Sequence, residues 1–140
     1  PEDMLKLYSY QKPIVSASYP MKTLPIRHCY ELYNPVKLCG NLVKIGGIGM
    51  GFVLIHRSVF EKLNKHYSEL KYFPGLNNSN YPITEKEYDN SYHYFAEMNK
   101  EGKYLGEDMS FFHRVTDIGY DVWMDTTIEL QHIGSHVFGN

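Results

Sequence analysis

The stretch YLGEDMSFFHRVTDIGYDVWMDTTIELQHIG, Tyr104–Gly134, joins a helical pattern to two strand-like runs. Apolar residues recur at helical spacing from Phe111 to Ile118, and Gly119 stands where a glycine commonly ends a helix. The runs YDVWMDT and IELQH that follow are short and rich in residues that favour strands. Together with short strands and helices elsewhere, this stretch predicts an α/β or α+β domain.

Two adjacent acids, Glu107 and Asp108, stand at the start of the predicted helix. Acids at that position satisfy unpaired backbone N–H groups and offset the helix dipole. A carboxylate held rigidly at a helix start and projecting into a cleft can also accept a proton from a bound hydroxyl. The spacing of the residues does not decide between a structural and a catalytic role.

His132 shares its parity in the second strand-like run with Ile128 and Leu130. It therefore lies on the same face of the predicted strand as two apolar residues. Such a histidine is either half-buried with a hydrogen-bond partner or a metal ligand that faces a cleft. His136 follows four residues later, but the absence of a further ligand cluster nearby argues against a structural zinc site.

The segment GGIGMGF, residues 46–52, is rich in glycine but is not a nucleotide-binding fingerprint. It lacks the register of GxxxxGK[ST] and of a GxGxxG that opens a helix. It predicts a tight turn or bulge before a core strand at Phe52–Ile55, or a place where the backbone approaches a ligand closely.

The remaining segments read as follows: a helix at residues 1–10, a buried strand at 13–18, a strand or extended arm in RHCYELYNPVKL, and a helix in RSVFEKLNKHY with Ser58 as its N-cap. Residues 72–94, rich in Tyr, Asn, Pro and Gly, show no sustained period. They predict a long flexible loop, which at this length is either functional or disordered.

The composition describes one globular domain of 140 residues, with 43% hydrophobic residues and a net charge of -2. This balance gives no reason to expect nucleic acid or an anionic membrane surface as a partner, and no run is long and apolar enough for a membrane span. Cys29 and Cys39 match no metal or redox motif, so free thiols in a reducing, cytoplasmic or cytosol-facing location are expected. A chain that opens with Pro1 inside a helical turn reads as a fragment of a longer protein.

Three segments carry a resemblance to a known family: IVSASYPMK (Ile14–Lys22), IGGIGMGFVLIHRSVFEKL (Ile45–Leu63) and GEDMSFFHRVTDIGYDVWMDTTIELQHIG (Gly106–Gly134). Together they resemble the C-terminal, acceptor-side half of metal-dependent GT-A glycosyltransferases, which move a sugar from a nucleotide-sugar donor to an acceptor. The third segment is the most specific, and its matching residues are Glu107, Asp108, Phe111, Arg114, Gly119, Trp123, Asp125, His132 and Gly134. The resemblance covers nearly the whole chain except the loop at 72–94. It implies an α/β fold, the C-terminal part of a GT-A domain, with a mixed sheet flanked by helices.

The resemblance also implies roles for individual residues. Asp108 matches the usual general base of inverting members, and Glu107 would position the acceptor or the base. His132 matches the histidine that binds the divalent cation, Mn²⁺ or Mg²⁺, on the donor diphosphate. The residues matched to substrate binding are Gly49, Met50, Gly51 and Arg114. Trp123 and Asp125 look structural, and the acceptor would be a glycan or another hydroxyl compound.

One feature of the family is missing from the sequence: no Asp-x-Asp, the motif that binds the metal and the donor diphosphate, occurs in these residues. Either that motif precedes Pro1 in a longer chain, or the protein has no donor site. The resemblance therefore leaves four readings: an inverting glycosyltransferase, which it favours, a retaining one, a carbohydrate-binding module of the same fold, and an unrelated domain whose acids are helix caps.

Overall fold

The strand expected at residues 13–18 is present as Ile14–Ala17 and is fully buried. It is a central strand, and its residues IVSA alternate between the two faces of the sheet. This is seen in a computed structural model of the chain, which describes residues 1–73, 84–134 and 136–139. Ser16 is the polar residue of this strand, and its hydroxyl donates to the carbonyl of Trp123 at 2.9 Å. Its burial is therefore matched by a hydrogen bond.

The helices are α1 (Glu2–Ser9), α2 (Arg57–His66), α3 (Glu85–Asp89) and α4 (Glu107–Asp117), with a 3₁₀ turn at Ser68–Leu70. The strands are β1 (Ile14–Ala17), β2 (Tyr30–Cys39), β3 (Leu42–Ile48), β4 (Val53–Ile55), β5 (Met98–Lys100), β6 (Lys103–Leu105), β7 (Val122–Asp125), β8 (His132–Ile133) and β9 (Val137–Phe138). No helix in the described ranges has the length and apolar character needed to cross a membrane.

Five strands form one mixed sheet in the order β2-β3-β7-β1-β4. Strands β1 and β7 run parallel, with Val15 opposite Trp123 and Ala17 opposite Asp125. The other three pairings are antiparallel. The residues that directly follow β1 and β7 therefore emerge at the same edge of the sheet.

Helices cover both faces of this sheet. On one face, α2 and α4 pack through residues such as Leu63 and Phe111 against one set of strand side chains. On the other face, α1 packs through Leu7 against alternate strand residues such as Val15. This alternation is the period of two that strands impose, and it confirms an α/β fold with a mixed sheet flanked by helices.

The glycine segment contains both of the features expected for it: the pairing of β3 with β2 shifts register at Gly46, as in a bulge, and a turn at residues 50–51 precedes β4. The structure corrects three other local expectations. Helix α2 is capped by His56 and not by Ser58, because His56 Nδ1 accepts the N–H of Ser58 at 3.3 Å. The strand expected over the run IELQH begins only at His132, the last residue of that run. Ile128, the first residue of the run, is nevertheless buried, as its parity predicted.

The third correction concerns the loop expected at 72–94. Residues 85–89 form α3, which begins with a capping box between Thr84 and Glu87. The expectation of irregular structure is therefore wrong for this helix, and residues 74–83 of that loop lie outside the described residues.

Candidate functional site

Asp108 holds a neighbouring segment and does not cap its own helix. Helix α4 has Gly106 as its N-cap, and no side chain accepts a capping hydrogen bond there. The carboxylate Oδ2 of Asp108 instead accepts the backbone N–H of Met50 at 3.3 Å. Its Oδ1 makes no hydrogen bond to any residue the structure describes. The half-buried Asp108 therefore joins the start of α4 to the glycine turn, while Glu107 beside it is exposed.

The glycine turn at residues 49–51 is shaped by the ring of Tyr19. A Cβ atom on Gly49 would lie 2.5 Å from the Tyr19 hydroxyl oxygen, and one on Gly51 would lie 2.5 Å from Tyr19 Cε1. Only glycine permits so close an approach. In this structure the space beside both glycines is therefore filled by a side chain of the protein itself.

His132 lies on the other side of the same tyrosine. The rings of Tyr19 and His132 meet edge to face, with centroids 5.5 Å apart. His132 Nδ1 lies 3.0 Å from the carbonyl oxygen of Pro20. Because a carbonyl can only accept, Nδ1 carries the proton, and the lone pair is left on Nε2. This is the tautomer that a metal-binding histidine uses when its second nitrogen bonds to a backbone carbonyl.

A pocket of about 320 Å³ opens between these groups. Its lining comprises Tyr19, Gly51, Phe52, Leu130, Gln131 and His132. The glycine turn and the candidate metal ligand thus face one cavity.

Cys29 is a member of this neighbourhood that sequence reasoning missed. Its carbonyl accepts the N–H of Gly49 at 3.0 Å. Partial burial raises the pKa of the Cys29 thiol, and the negative charges of Asp108 and Glu31 raise it further. The Cys29 thiol is therefore kept protonated and is a poor nucleophile.

Arg114 lies elsewhere. It is 4% exposed, and its guanidinium donates to the carbonyl oxygen of Tyr94 at 3.1 Å. Arg114 lies six positions after Asp108, which places the two about 120° apart around the helix. Arg114 thus supports the chain near Tyr94 from inside the fold, and its expected contact with substrate receives no support from this position.

His132 is the residue that the resemblance assigns to a metal ion. Within the ranges the structure describes, no group of three or more His, Cys, Asp or Glu side chains could hold a metal ion. The Nε2 atom of His132 fits a divalent cation as a single donor, so the other ligands of such a cation would come from elsewhere.

Three of the expected parts are thus linked by contacts. Asp108 bonds to the turn at 49–51, and Tyr19 packs against both that turn and His132. Tyr19 was not itself singled out by the sequence analysis. The signal that could have identified it is its position two residues after the end of a buried strand, where side chains commonly reach a ligand cleft. Comparisons of the chain with protein-family models, curated proteins and solved structures found no match.

Proposed function

We propose that the chain is the acceptor-side half of a metal-dependent GT-A glycosyltransferase that inverts the configuration of the transferred sugar. The observation that carries the proposal is the direction of Asp108. Its carboxylate is turned from its own helix to the turn at Met50, and one oxygen is left for a substrate. A helix cap alone does not need this geometry.

In this proposal Asp108 is the general base. The acceptor hydroxyl attacks the anomeric carbon of the donor sugar while its proton passes to Oδ1 of Asp108. A new carbon–oxygen bond forms, the bond to the nucleoside diphosphate breaks, and the anomeric configuration inverts. The Met50 N–H fixes the carboxylate through Oδ2, so that Oδ1 needs little reorganisation to take the proton.

His132 is the proposed metal-binding residue. A bound cation would neutralise the charge that develops on the leaving diphosphate. A nitrogen donor beside oxygen ligands suits Mn²⁺ at least as well as Mg²⁺, which prefers oxygen. The hydrogen bond from Nδ1 to Pro20 keeps Nε2 available for the cation.

The test is Asp108→Asn in the full open reading frame that contains these residues. Asparagine can still accept the Met50 N–H but cannot take a proton. We expect transfer to fall by a factor of about 10² to 10⁴, while nucleotide-sugar binding changes less than about threefold. The matched control is Asp117→Asn, which removes an exposed acid at the other end of the same helix and should leave transfer unchanged.

Retained transfer in Asp108→Asn would exclude this residue as the base. Release of a product with the donor's own anomeric configuration would indicate a retaining enzyme. Glycan binding without any turnover would indicate a carbohydrate-binding module. His132→Ala should weaken Mn²⁺-dependent nucleotide-sugar binding at least tenfold, since it removes one metal ligand, and unchanged binding would remove His132 from the metal site.

A further inference from the structure

A second pocket, of about 410 Å³, lies at the sheet edge where the parallel strands β1 and β7 end. Ser18 directly follows β1 and Thr126 directly follows β7, and both line this pocket. The carboxyl ends of parallel strands are where α/β sheets commonly bind ligands. This pocket is distinct from the one that Tyr19 and His132 line.

A fixed Ser–His pair forms part of the wall. The Ser18 hydroxyl oxygen lies 2.6 Å from Nδ1 of His28. His28 is also tied through its backbone, which forms an isolated antiparallel bridge with Pro20. The second ring nitrogen, Nε2, makes no hydrogen bond to any residue the structure describes. His28 is thus an oriented imidazole with one nitrogen left for a ligand.

The charges of the lining select a neutral ligand. The pocket is lined by two carboxylates, Asp125 and Glu129, and by no Lys or Arg. Asp125 is paired with Lys6 at 3.2 Å and accepts bonds from Tyr10 and Thr127, whereas Glu129 is exposed and has no ion-pair partner among the described residues. A phosphate or carboxylate ligand would be repelled here, while a hydroxyl compound can donate to Glu129 and bond to His28.

Apolar surface completes the pocket. Pro20, Ile26 and Tyr30 lie beside the polar groups. Aliphatic and aromatic faces next to a few fixed hydrogen-bonding groups are what a small-molecule site requires. A sugar ring, with C–H surfaces and a rim of hydroxyls, matches this combination.

The pocket adjoins the Asp108 site through the backbone. Cys29, the residue after His28, bonds through its carbonyl to Gly49 in the turn that Asp108 holds. Consecutive Cα atoms are about 3.8 Å apart, so His28 lies next to the residue that bonds to the turn held by Asp108.

We propose that this pocket binds a neutral saccharide, with His28, Ser18 and Glu129 bonding its hydroxyls. Its role as the acceptor site rests on the proposed function, whereas the binding itself does not. The uncompensated charge of Glu129 therefore favours uncharged sugars over phosphorylated or uronic acid acceptors at this position.

The experiment is a titration of the ¹⁵N-labelled chain followed by NMR. The probes are the methyl glycosides of glucose, galactose, mannose and N-acetylglucosamine, with glucose 1-phosphate as the anionic counterpart. We expect saturable shifts at Ser18, His28 and Thr126 with at least one neutral glycoside. We expect His28→Ala to weaken that binding by a factor of about 3 to 10, the loss of one hydrogen bond.

The controls separate the pocket from the rest of the proposal. His66→Ala, at the exposed end of α2, should leave the titration unchanged. Ser18→Ala should weaken binding without removing the imidazole. Absence of shifts with every neutral glycoside, or tighter binding of glucose 1-phosphate, would overturn the saccharide pocket. Saccharide binding that depends on His28 in a protein without transferase activity would keep the pocket and reject the transferase. Sugar transfer unaffected by His28→Ala would reject the pocket's role as the acceptor site.

Discussion

At the scale of the residue, Asp125 shows how a buried carboxylate is stabilised in this protein. It is 1% exposed, and its oxygens accept bonds from the Tyr10 hydroxyl at 2.5 Å and the Thr127 backbone N–H at 2.6 Å. Burial by itself raises the pKa of the carboxyl group, but the hydrogen bonds from Tyr10, Thr127 and Lys6 outweigh it and lower the pKa to about 2. The sequence analysis gave Asp125 a structural role, and these bonds are consistent with one.

We expect this carboxylate to make the fold sensitive to acid. Its pKa falls from 3.8 in the unfolded chain to about 2 in the folded one, so the ionised form favours folding. The contribution, about 2 kcal/mol, is fully present above about pH 4 and is lost as the pH falls towards 2. Urea unfolding of the wild type at a series of pH values should show this loss.

Asp125→Asn tests the assignment directly. The variant should be about 2 kcal/mol less stable at pH 7, because an amide nitrogen cannot accept the bonds that one carboxylate oxygen receives. It should also lose less stability than the wild type between pH 4 and pH 2. Asp121→Asn, a half-exposed acid paired with Lys44, is the control and should change stability by less than about 0.5 kcal/mol. If the wild type and Asp125→Asn lose equal stability between pH 4 and pH 2, groups other than Asp125 cause the acid sensitivity.

At the scale of the element, the turn between β3 and β4 depends on Tyr19. Because Gly51 has no Cβ, the tyrosine ring fits against the backbone, and the Met50 N–H between the two glycines meets Asp108. The packing of one ring therefore sets the path of the segment that the proposed base holds.

Gly51→Ala should strain this turn. The added Cβ would lie 2.5 Å from Tyr19 Cε1, so either the ring or the backbone must move, at a cost of about 1–3 kcal/mol. Gly134→Ala is the control, since a Cβ there meets only the Lys22 side chain, at 3.5 Å or more. Urea unfolding measures both variants.

A double variant decides the cause. With Tyr19→Ala in place, Gly51→Ala should cost less than about 0.5 kcal/mol, because the atoms it would meet are gone. An undiminished cost in the Tyr19→Ala background would show that the turn needs glycine for a reason other than the ring.

Elements with a strong local period could be predicted from sequence, and contacts between distant segments could not. The helix at α4 follows from the spacing of Phe111 to Ile118, and Gly119 has the positive φ, +89°, expected of a helix-ending glycine. Strand β3 was missed because Gly46 and Gly47 suggest a turn, whereas its pairing with β2 and β7 decides its conformation. Tyr19 was missed for the same reason, since its partners are set by the tertiary fold.

At the scale of the whole molecule, two apolar clusters share one sheet. Leu63 of α2 and Leu7 of α1 are each almost completely buried, on opposite faces. Strand β1 contributes Ile14 to one cluster and Val15 to the other. The two faces should therefore unfold as one unit, although α1 alone is only 8 residues long.

Leu7→Ala should thus destabilise the domain about as much as Leu63→Ala, by about 2–5 kcal/mol each. Leu5 lies in the same helix but is 67% exposed. Leu5→Ala should therefore lower the free energy of unfolding by less than about 0.5 kcal/mol, not counting the change in helix propensity. Far-UV circular dichroism during urea unfolding gives all three values. If Leu7→Ala leaves the midpoint and the amplitude of the unfolding transition unchanged, α1 does not unfold together with the rest of the domain.

The position of Trp123 has a practical consequence. It is the single tryptophan of the chain, and it packs on the α1 face of the sheet, where Lys12 Nζ lies 5.0 Å from the centre of its ring. Its intrinsic fluorescence therefore reports from that face alone. A spectral change that precedes the main unfolding transition would identify release of the α1 side, and the protein carries this optical probe without any added label.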